Sequence, residues 1–250
     1  MTRRTLIAAV LTVMLVAGAV THVLGDGDDG GPLRAAVPSV PPAPRTQPEP
    51  LVPAGPLAAR VLRRTQLRHS PGGRVVRAIG TTTEFDSPHV LAVVARRGAW
   101  LGVLSDLVPN ARVAWIPVTS AELVPMPYSL DVDLSARRVL VRREGRVVRR
   151  VKIAVGTPAT PTPTGRFAVT DALRIGKGSG SYGCCALALT ARQAHLPQSW
   201  GGGDRIAIHG TTVLGTIGTP ASFGCMRARN EDMRWLLRRI RPGVQVHVRA

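Results

Sequence analysis

Ile206-Ala207-Ile208-His209-Gly210 and Ala221-Ser222-Phe223-Gly224-Cys225-Met226-Arg227 are the two stretches on which the reading of this chain turns. The first alternates as a strand does and ends on a histidine, and a Gly/Thr-rich segment closing on Thr219-Pro220 leads to the second. A strand end fixes an imidazole, and a glycine-backed loop can bring a thiol to it. A thiol nucleophile needs that pairing, because the thiolate is the reactive form and an adjacent base must generate or stabilise it. Taken singly, each residue has a plainer explanation. A histidine after a strand is commonly a surface or satisfied core residue, and a free cysteine commonly packs as a small hydrophobe. Together, flanked by glycines and a serine, they point to Cys225 as nucleophile and His209 as its general base.

Working outward, Asn230 suits a helix N-cap, and Glu231-Asp232 suit the first turn electrostatically. Met233, Leu236, Leu237 and Ile240 follow at i, i+3, i+4 and i+7, which predicts one apolar face packed on a sheet. Arg238, Arg239 and Arg241 fall in the expected last turn and Pro242-Gly243 stops it. Val244, Val246 and Val248 then alternate with polar residues as a final edge strand. Upstream, Leu130, Val132 and Leu134 alternate with polar neighbours, Val139 and Val141 follow, Arg143-Glu144-Gly145 turns, and Val147 to Val155 returns, which predicts β-hairpins. The Gly/Ser-rich stretch from Ile175 to Gly183 lacks the Gly-Lys-Ser/Thr of a phosphate loop and reads as a flap over a cleft, with Tyr182 lining it. Leu187 and Leu189 read as strand, and Ala191 to Leu196 as a helical turn with His195 exposed.

The run Ser222-x-Gly224-Cys225-Met226-Arg227, preceded by His209-Gly210 and further upstream by Thr162-Pro163-Thr164-Gly165-Arg166-Phe167, resembles the signature of the L,D-transpeptidase (YkuD-type) catalytic domain. The resemblance covers residues 127–250, with the elements in the family's order. It implies a β-rich catalytic domain in which the Cys225 thiolate attacks the carbonyl of the diamino acid at position three of a peptidoglycan stem peptide. D-Ala is expelled, and an amine on a neighbouring stem resolves the thioester as a 3→3 cross-link. It further implies that the Gly210 carbonyl orients His209, that backbone N–H groups around Gly224 and Cys225 hold the oxyanion, and that Ser222 and Arg227 grip substrate. The position usually held by histidine is Phe223 here, and the resemblance puts it in the substrate pocket. Hydrolysis of the same bond, as an L,D-carboxypeptidase, and a non-catalytic wall-binding protein are the alternatives. A papain-like peptidase would place its cysteine before its histidine, and a sortase would separate the two much further. No cofactor is called for, nor a metal, since the histidines show no ligand spacing with Cys or carboxylates.

Between Val61 and Leu123 the pattern is short strands and turns with no helical period: a Val75/Val76/Ile79 run, Val90 to Ala95, Ala99 to Leu104 and Val113 to Val118. That predicts a small all-β barrel over residues 59–125. Trp100-Leu101-Gly102-Val103 and Ala114-Trp115-Ile116 resemble a bacterial SH3-like module, which implies a part that binds wall glycopeptide or braces its neighbour. His69 and His89 fall in its turns and are expected in solvent.

Residues 1–25 hold Arg3-Arg4 before an apolar run from Leu6 to Leu24, broken only by Thr12, Thr21 and His22. The run is near the length that spans a bilayer and long for a cleaved signal, although Ala17-Gly18-Ala19 fits a cleavage site. Its basic flank puts that side in the cytoplasm, so the rest of the chain is expected on the extracytoplasmic face of the cell membrane. Residues 26–58 carry nine prolines and predict an extended linker. The net charge of +18 is almost all arginine, Lys152 and Lys177 being the only lysines. The arginines are spread along the chain and not gathered in an aromatic-laced patch, which argues against nucleic acid and suits ordinary solvated faces or an anionic envelope. The expectation is a monomer, mainly β, with an anchor helix, a linker, the small barrel and a catalytic domain with a short C-terminal helix. Cys184 and Cys185 are adjacent, a poor spacing for a disulfide, and read as two small residues beside a strand or pocket wall.

Overall fold

The computed structural model describes residues 55–176, 182–196 and 203–250. The apolar N-terminal run, most of the Pro-rich segment and the centre of the Gly/Ser-rich stretch lie outside the described residues. Among the described residues no helix is long and apolar enough to cross a membrane.

The first sheet has seven antiparallel strands: β1 (Leu57–Val61), β2 (Thr65–Arg68), β3 (Val75–Ile79), β4 (Val90–Arg97), β5 (Trp100–Val103), β6 (Ala114–Pro117) and β7 (Ala121–Pro125), in the order β3-β2-β6-β5-β4-β1-β7. The short apolar runs that marked β3 to β6 in the sequence put Ile79, Leu91, Leu101, Val103 and Ile116 into one core with Val61 and Leu67. β1 begins at Leu57, inside the stretch expected to be linker, because Ala58 and Ala59 are small enough to be wholly buried between β4 and β7. His89, expected in solvent, is 8% exposed.

The second sheet contains β8 (Tyr128–Asp133), β9 (Arg138–Arg143), β10 (Arg146–Gly156), β11 (Gly165–Arg174), β12 (Cys185–Arg192), β13 (Arg205–Thr211), β14 (Pro220–Ser222), β15 (Met226–Arg229) and β16 (Gln245–Arg249). Its order is β14-β10-β15-β13-β12-β11-β16-β8-β9, and β9 also pairs with β10, so the strands from β10 round to β9 close on themselves. The β9–β10 turn has positive φ at both Glu144 and Gly145, as a two-residue hairpin with right-handed strand twist requires. The core holds Val132, Val141, Ile153, Phe167, Leu187, Ile206, Ile208 and Met226, and α1 (Asn230–Leu237) packs Met233 and Leu236 into it from beside β12, β13 and β15.

Four local expectations are corrected. Asn230 is the first residue of α1 and not its cap; its side chain accepts the Cys184 N–H instead, at 2.9 Å. The helix ends at Leu237, so Ile240 reaches the core from the following turn. Val246 and Val248 belong to an interior strand between β11 and β8 and not to an edge. Finally, Ala191-Arg192 continue β12, where Arg192 pairs with Arg205, and the chain turns only at Ala194-His195.

The two sheets pack closely. Ala92 and Leu104 bury against Ala168, and Gln245 Nε2 donates to Val93 O at 3.1 Å. At Gly243 (φ +90°) a Cβ would lie 2.7 Å from Val90 Cγ1, which leaves room for glycine alone.

Candidate active site

Parallel neighbours share a face, so the register Ile208–Met226 and His209–Arg227 sorts the residues of β13 and β15. Ile206, Ile208, Met226 and Ala228 face the core, while Ala207, His209 and Arg227 face the other way. Cys225, the residue before β15, lies against the same strand: its thiol donates to Arg205 O at 3.8 Å. The strand spacing and rise put Cys225 and His209 roughly 8 Å apart at Cα, a gap that two side chains can bridge.

His209 is 4% exposed and its Nδ1 lies 2.7 Å from Gly210 O. With Nδ1–H donating to that carbonyl, Nε2 carries the lone pair toward the site. The residues that hold this arrangement are glycines. A Cβ on Gly210 would run into Asn230 Oδ1, with Cys184 N at 3.0 Å, and a Cβ on Gly183 (φ +61°) would meet Gly210 C at 2.5 Å and Thr211 N at 2.6 Å. The backbone of residues 183–184 can therefore lie directly on β13, and it carries Tyr182 to a ring-centroid distance of 4.6 Å from His209. Cys184 and Cys185 are joined to each other in a disulfide, contrary to the reading of two independent small residues, and Cys225 is the free thiol.

The loop of residues 222–225 is pinned at successive groups. Ser222 O accepts from Thr157 N (3.0 Å) and Thr160 Oγ1 (3.2 Å). Phe223 O accepts from Gln193 Nε2 (3.2 Å), Gly224 O from Thr162 Oγ1 (2.8 Å), and Cys225 O from Ser222 Oγ (2.6 Å). Ser222, expected to grip substrate, is 3% exposed, and its hydroxyl is spent inside the loop, since it also accepts the Gly224 N–H at 3.1 Å. The Gly224 N–H is thus occupied, whereas the Cys225 N–H takes part in none of these loop bonds. Gly224 has φ +112°, so glycine is what lets the chain turn here. Phe223 is 49% exposed at the rim, with Tyr182 at 40%. Arg227 is half-buried, and its Nε is buried without a hydrogen-bond partner among the described residues.

Burial dominates the electrostatics. It lowers the His209 pKa to about 4, against an opposing effect of the Gly210 hydrogen bond and with a smaller downward push from Arg227. Burial raises the Cys225 pKa, opposed by an Ala207 backbone hydrogen bond and by Arg227. Tyr182 is raised by burial and then by the neighbouring Cys225. The resting pair is therefore neutral thiol and neutral imidazole. No group of three or more His, Cys, Asp or Glu side chains able to hold a metal occurs among the described residues.

Residues 127–248 match the YkuD family, the L,D-transpeptidase catalytic domain. The chain carries a YkuD-family domain. Over 123 residues it is 31% identical to YkuD of Bacillus subtilis and to YkuD of Bacillus licheniformis, a span that covers 49% of this chain and 66% of each relative. Among solved structures, an L,D-transpeptidase from Mycobacterium tuberculosis aligns with a TM-score of 0.42 and 20% identity over 57% of this chain and 67% of that one. An L,D-transpeptidase from Mycobacterium smegmatis aligns with a TM-score of 0.42 and 19% identity, over 70% and 89%. Of the motif residues, His209 is oriented by Gly210 and stacked by Tyr182, Cys225 lies against the same strand with its thiol on Arg205 O, and Ser222 turns inward. Gln193, 3% exposed, and Arg205 were missed, because nothing in their local sequence marks a glutamine or an arginine that reaches a distant loop.

Proposed function

We propose that this protein is a peptidoglycan L,D-transpeptidase that forms 3→3 cross-links through a thioester on Cys225. The observation that carries this reading is the grouping, on one sheet face, of a free thiol, an imidazole oriented by its neighbour's carbonyl, and an arginine whose buried Nε has no partner among the described residues. Rotation of the Cys225 side chain away from Arg205 O brings the thiol to His209 Nε2, which takes its proton as Sγ bonds to the stem carbonyl. The tetrahedral oxyanion is met by the Cys225 N–H, a contribution of about 3 kcal/mol for one such donor. The C–N bond then breaks, His209 returns the proton to the departing D-Ala amine, and a stem amine displaces sulfur from the thioester. Arg227 suits a substrate carboxylate, Tyr182 and Phe223 the walls, and Gly224 the close approach of substrate to backbone.

In this reading residues 127–250 form the catalytic domain and residues 59–125 an SH3-like module. Residues 1–25 anchor the protein at the extracytoplasmic face of the membrane and 26–58 lift it toward the wall. The test is incubation of the full chain with glycan bearing tetrapeptide stems, read by mass spectrometry. Cross-linked dimers that have lost D-Ala, absent with Cys225→Ser, are expected. Tripeptide monomers alone would mean hydrolysis, and unchanged stems a binding protein.

A further inference from the structure

One side-chain amide ties the nucleophile loop to the rest of the domain. Gln193 Nε2 donates to Phe223 O at 3.2 Å and to Pro161 O, in the β10–β11 loop, at 3.0 Å, while its Oε1 accepts the His195 N–H at 3.2 Å. The same Nε2 lies 2.5 Å from the place where a Cβ of Gly224 would be. Gln193 thus fixes the peptide plane before Gly224, and Thr162 fixes the next one through Gly224 O. Because that second plane is trans, fixing its carbonyl also fixes the direction of the Cys225 N–H on its opposite side.

The residue before Gln193 is held by the first sheet. Asn110 accepts the Arg192 N–H at 3.0 Å and donates to Arg192 O at 2.7 Å, so one side chain pins both backbone groups. Arg192 Nε donates to Asp106 O at 2.8 Å. On the adjoining strand, Arg205 pairs with Asp106 at 3.0 Å and Glu84 at 2.6 Å, while its own carbonyl accepts the Cys225 thiol. The loop from Asp106 to Asn110 therefore grips the chain beside each support of the nucleophile.

We propose that Gln193 is a positioning residue for acyl transfer at Cys225, held in place through Arg192 by the Asp106–Asn110 loop of the first sheet. This rests on Cys225 being an acyl-accepting nucleophile and not on which stem peptide it takes. Two probes separate positioning from general damage. p-Nitrophenyl acetate acylates a thiol through a tetrahedral oxyanion and needs the Cys225 N–H in place. Iodoacetamide alkylates at an sp3 carbon with no oxyanion and reports only thiolate supply and access.

In the full chain, Gln193→Met keeps the volume and removes the donor. Cys225-dependent acylation should fall about 10- to 100-fold, the scale of a misplaced oxyanion donor, with alkylation within about threefold of the parent. Asn110→Ala should lower the same ratio by less. Gln193→Glu, which keeps the shape without the N–H donors, reads the same ratio should Gln193→Met not fold. An unchanged ratio in the Gln193 variants, or a parallel fall of both rates, would overturn the proposal. An unchanged ratio in Asn110→Ala alone would remove the first sheet from it. A parent protein without Cys225-dependent acylation would also overturn it, whereas failure on peptidoglycan with acylation intact would count only against the cross-linking reading.

Discussion

The buried His209 makes a prediction that two independent measurements can check. Its folded pKa of about 4 lies below the unfolded value of 6.5, so between those values the unfolded chain binds the proton that the folded chain refuses. Stability contributed by the neutral ring is complete above pH 6.5 and is lost as pH falls toward 4. The shift of about 2.5 units corresponds to about 3 kcal/mol at most, or roughly 10 °C in the thermal midpoint of a domain this size. His89, also lowered by burial, adds to the loss with the same sign, so His209→Gln should flatten the slope in part and not abolish it. The carboxylate of Asp133, held below its usual range first by the Ala136 N–H, gives way only at lower pH and leaves this window to the histidines. At pH 7 about one His209 ring in a thousand is protonated, so the thiol has no imidazolium beside it to stabilise a thiolate. Iodoacetamide alkylation of Cys225 should accordingly keep rising with pH beyond the ordinary thiol range. A rate plateau between pH 5 and 7 that disappears in His209→Gln would mean a resting thiolate–imidazolium pair, and would refute the argument. A thermal midpoint that stays level from pH 7 to 4.5 would refute it separately.

Other perturbations test the parts that hold the site. Gly183→Ala should cost about 3 kcal/mol by denaturant titration, since the added Cβ meets the backbone of Gly210 and Thr211 and φ is +61°; a loss under 0.5 kcal/mol would show that the stacking of these segments is not tight. Arg205→Met leaves Asp171, which is wholly buried, with a hydroxyl partner and no cation, and should destabilise by about 3 kcal/mol, a loss that Asp171→Asn partly restores. A carbapenem should add one drug mass to the peptide that contains Cys225 and none to Cys225→Ser; label on Cys184 or Cys185 would displace the assignment, because those sulfurs are bonded to each other.

The strands of this protein were legible where alternation is strict. β8, β10, β13 and β16 each put apolar residues on one face, and that pattern survives any tertiary arrangement because a one-residue slip would turn the whole set to solvent. What alternation does not carry is position within the sheet. Val246 and Val248 read equally well at an edge or in the interior, and only the pairing of β16 with both β8 and β11 decides between them. The helix start failed for a related reason. Asn230 is a good cap by local preference, but a distant backbone N–H, that of Cys184, competes for the same oxygen and wins it. Local rules rank partners within a turn and have no knowledge of a strand that folds back from 46 residues away.

The candidate site divides along the same line. The local geometry at His209 and Gly224 was readable: a carbonyl one residue away orients the ring, and a glycine turns the chain before the thiol. The supports were not. Gln193, just after β12, and Arg205, in β13, reach the Cys225 loop from elsewhere, and each is an ordinary residue in its own neighbourhood; Thr162 was quoted within a motif, but its bond to Gly224 O was not readable. In the proposed reaction their effect on reactivity is nonetheless direct. A buried, neutral thiol beside a neutral imidazole is a poor nucleophile at rest, so the protein cannot rely on a stored thiolate. In the proposed reaction, proton transfer would accompany the arrival of the carbonyl, and its rate would depend on how well the N–H at Cys225 already faces the incipient oxyanion. A rigid loop is then worth more than a lowered pKa, and the hydrogen bonds that hold residues 222–225 from three sides supply that rigidity. The first sheet belongs to the same argument: by gripping Arg192 and Arg205 it stiffens the two strands from which the thiol's surroundings hang.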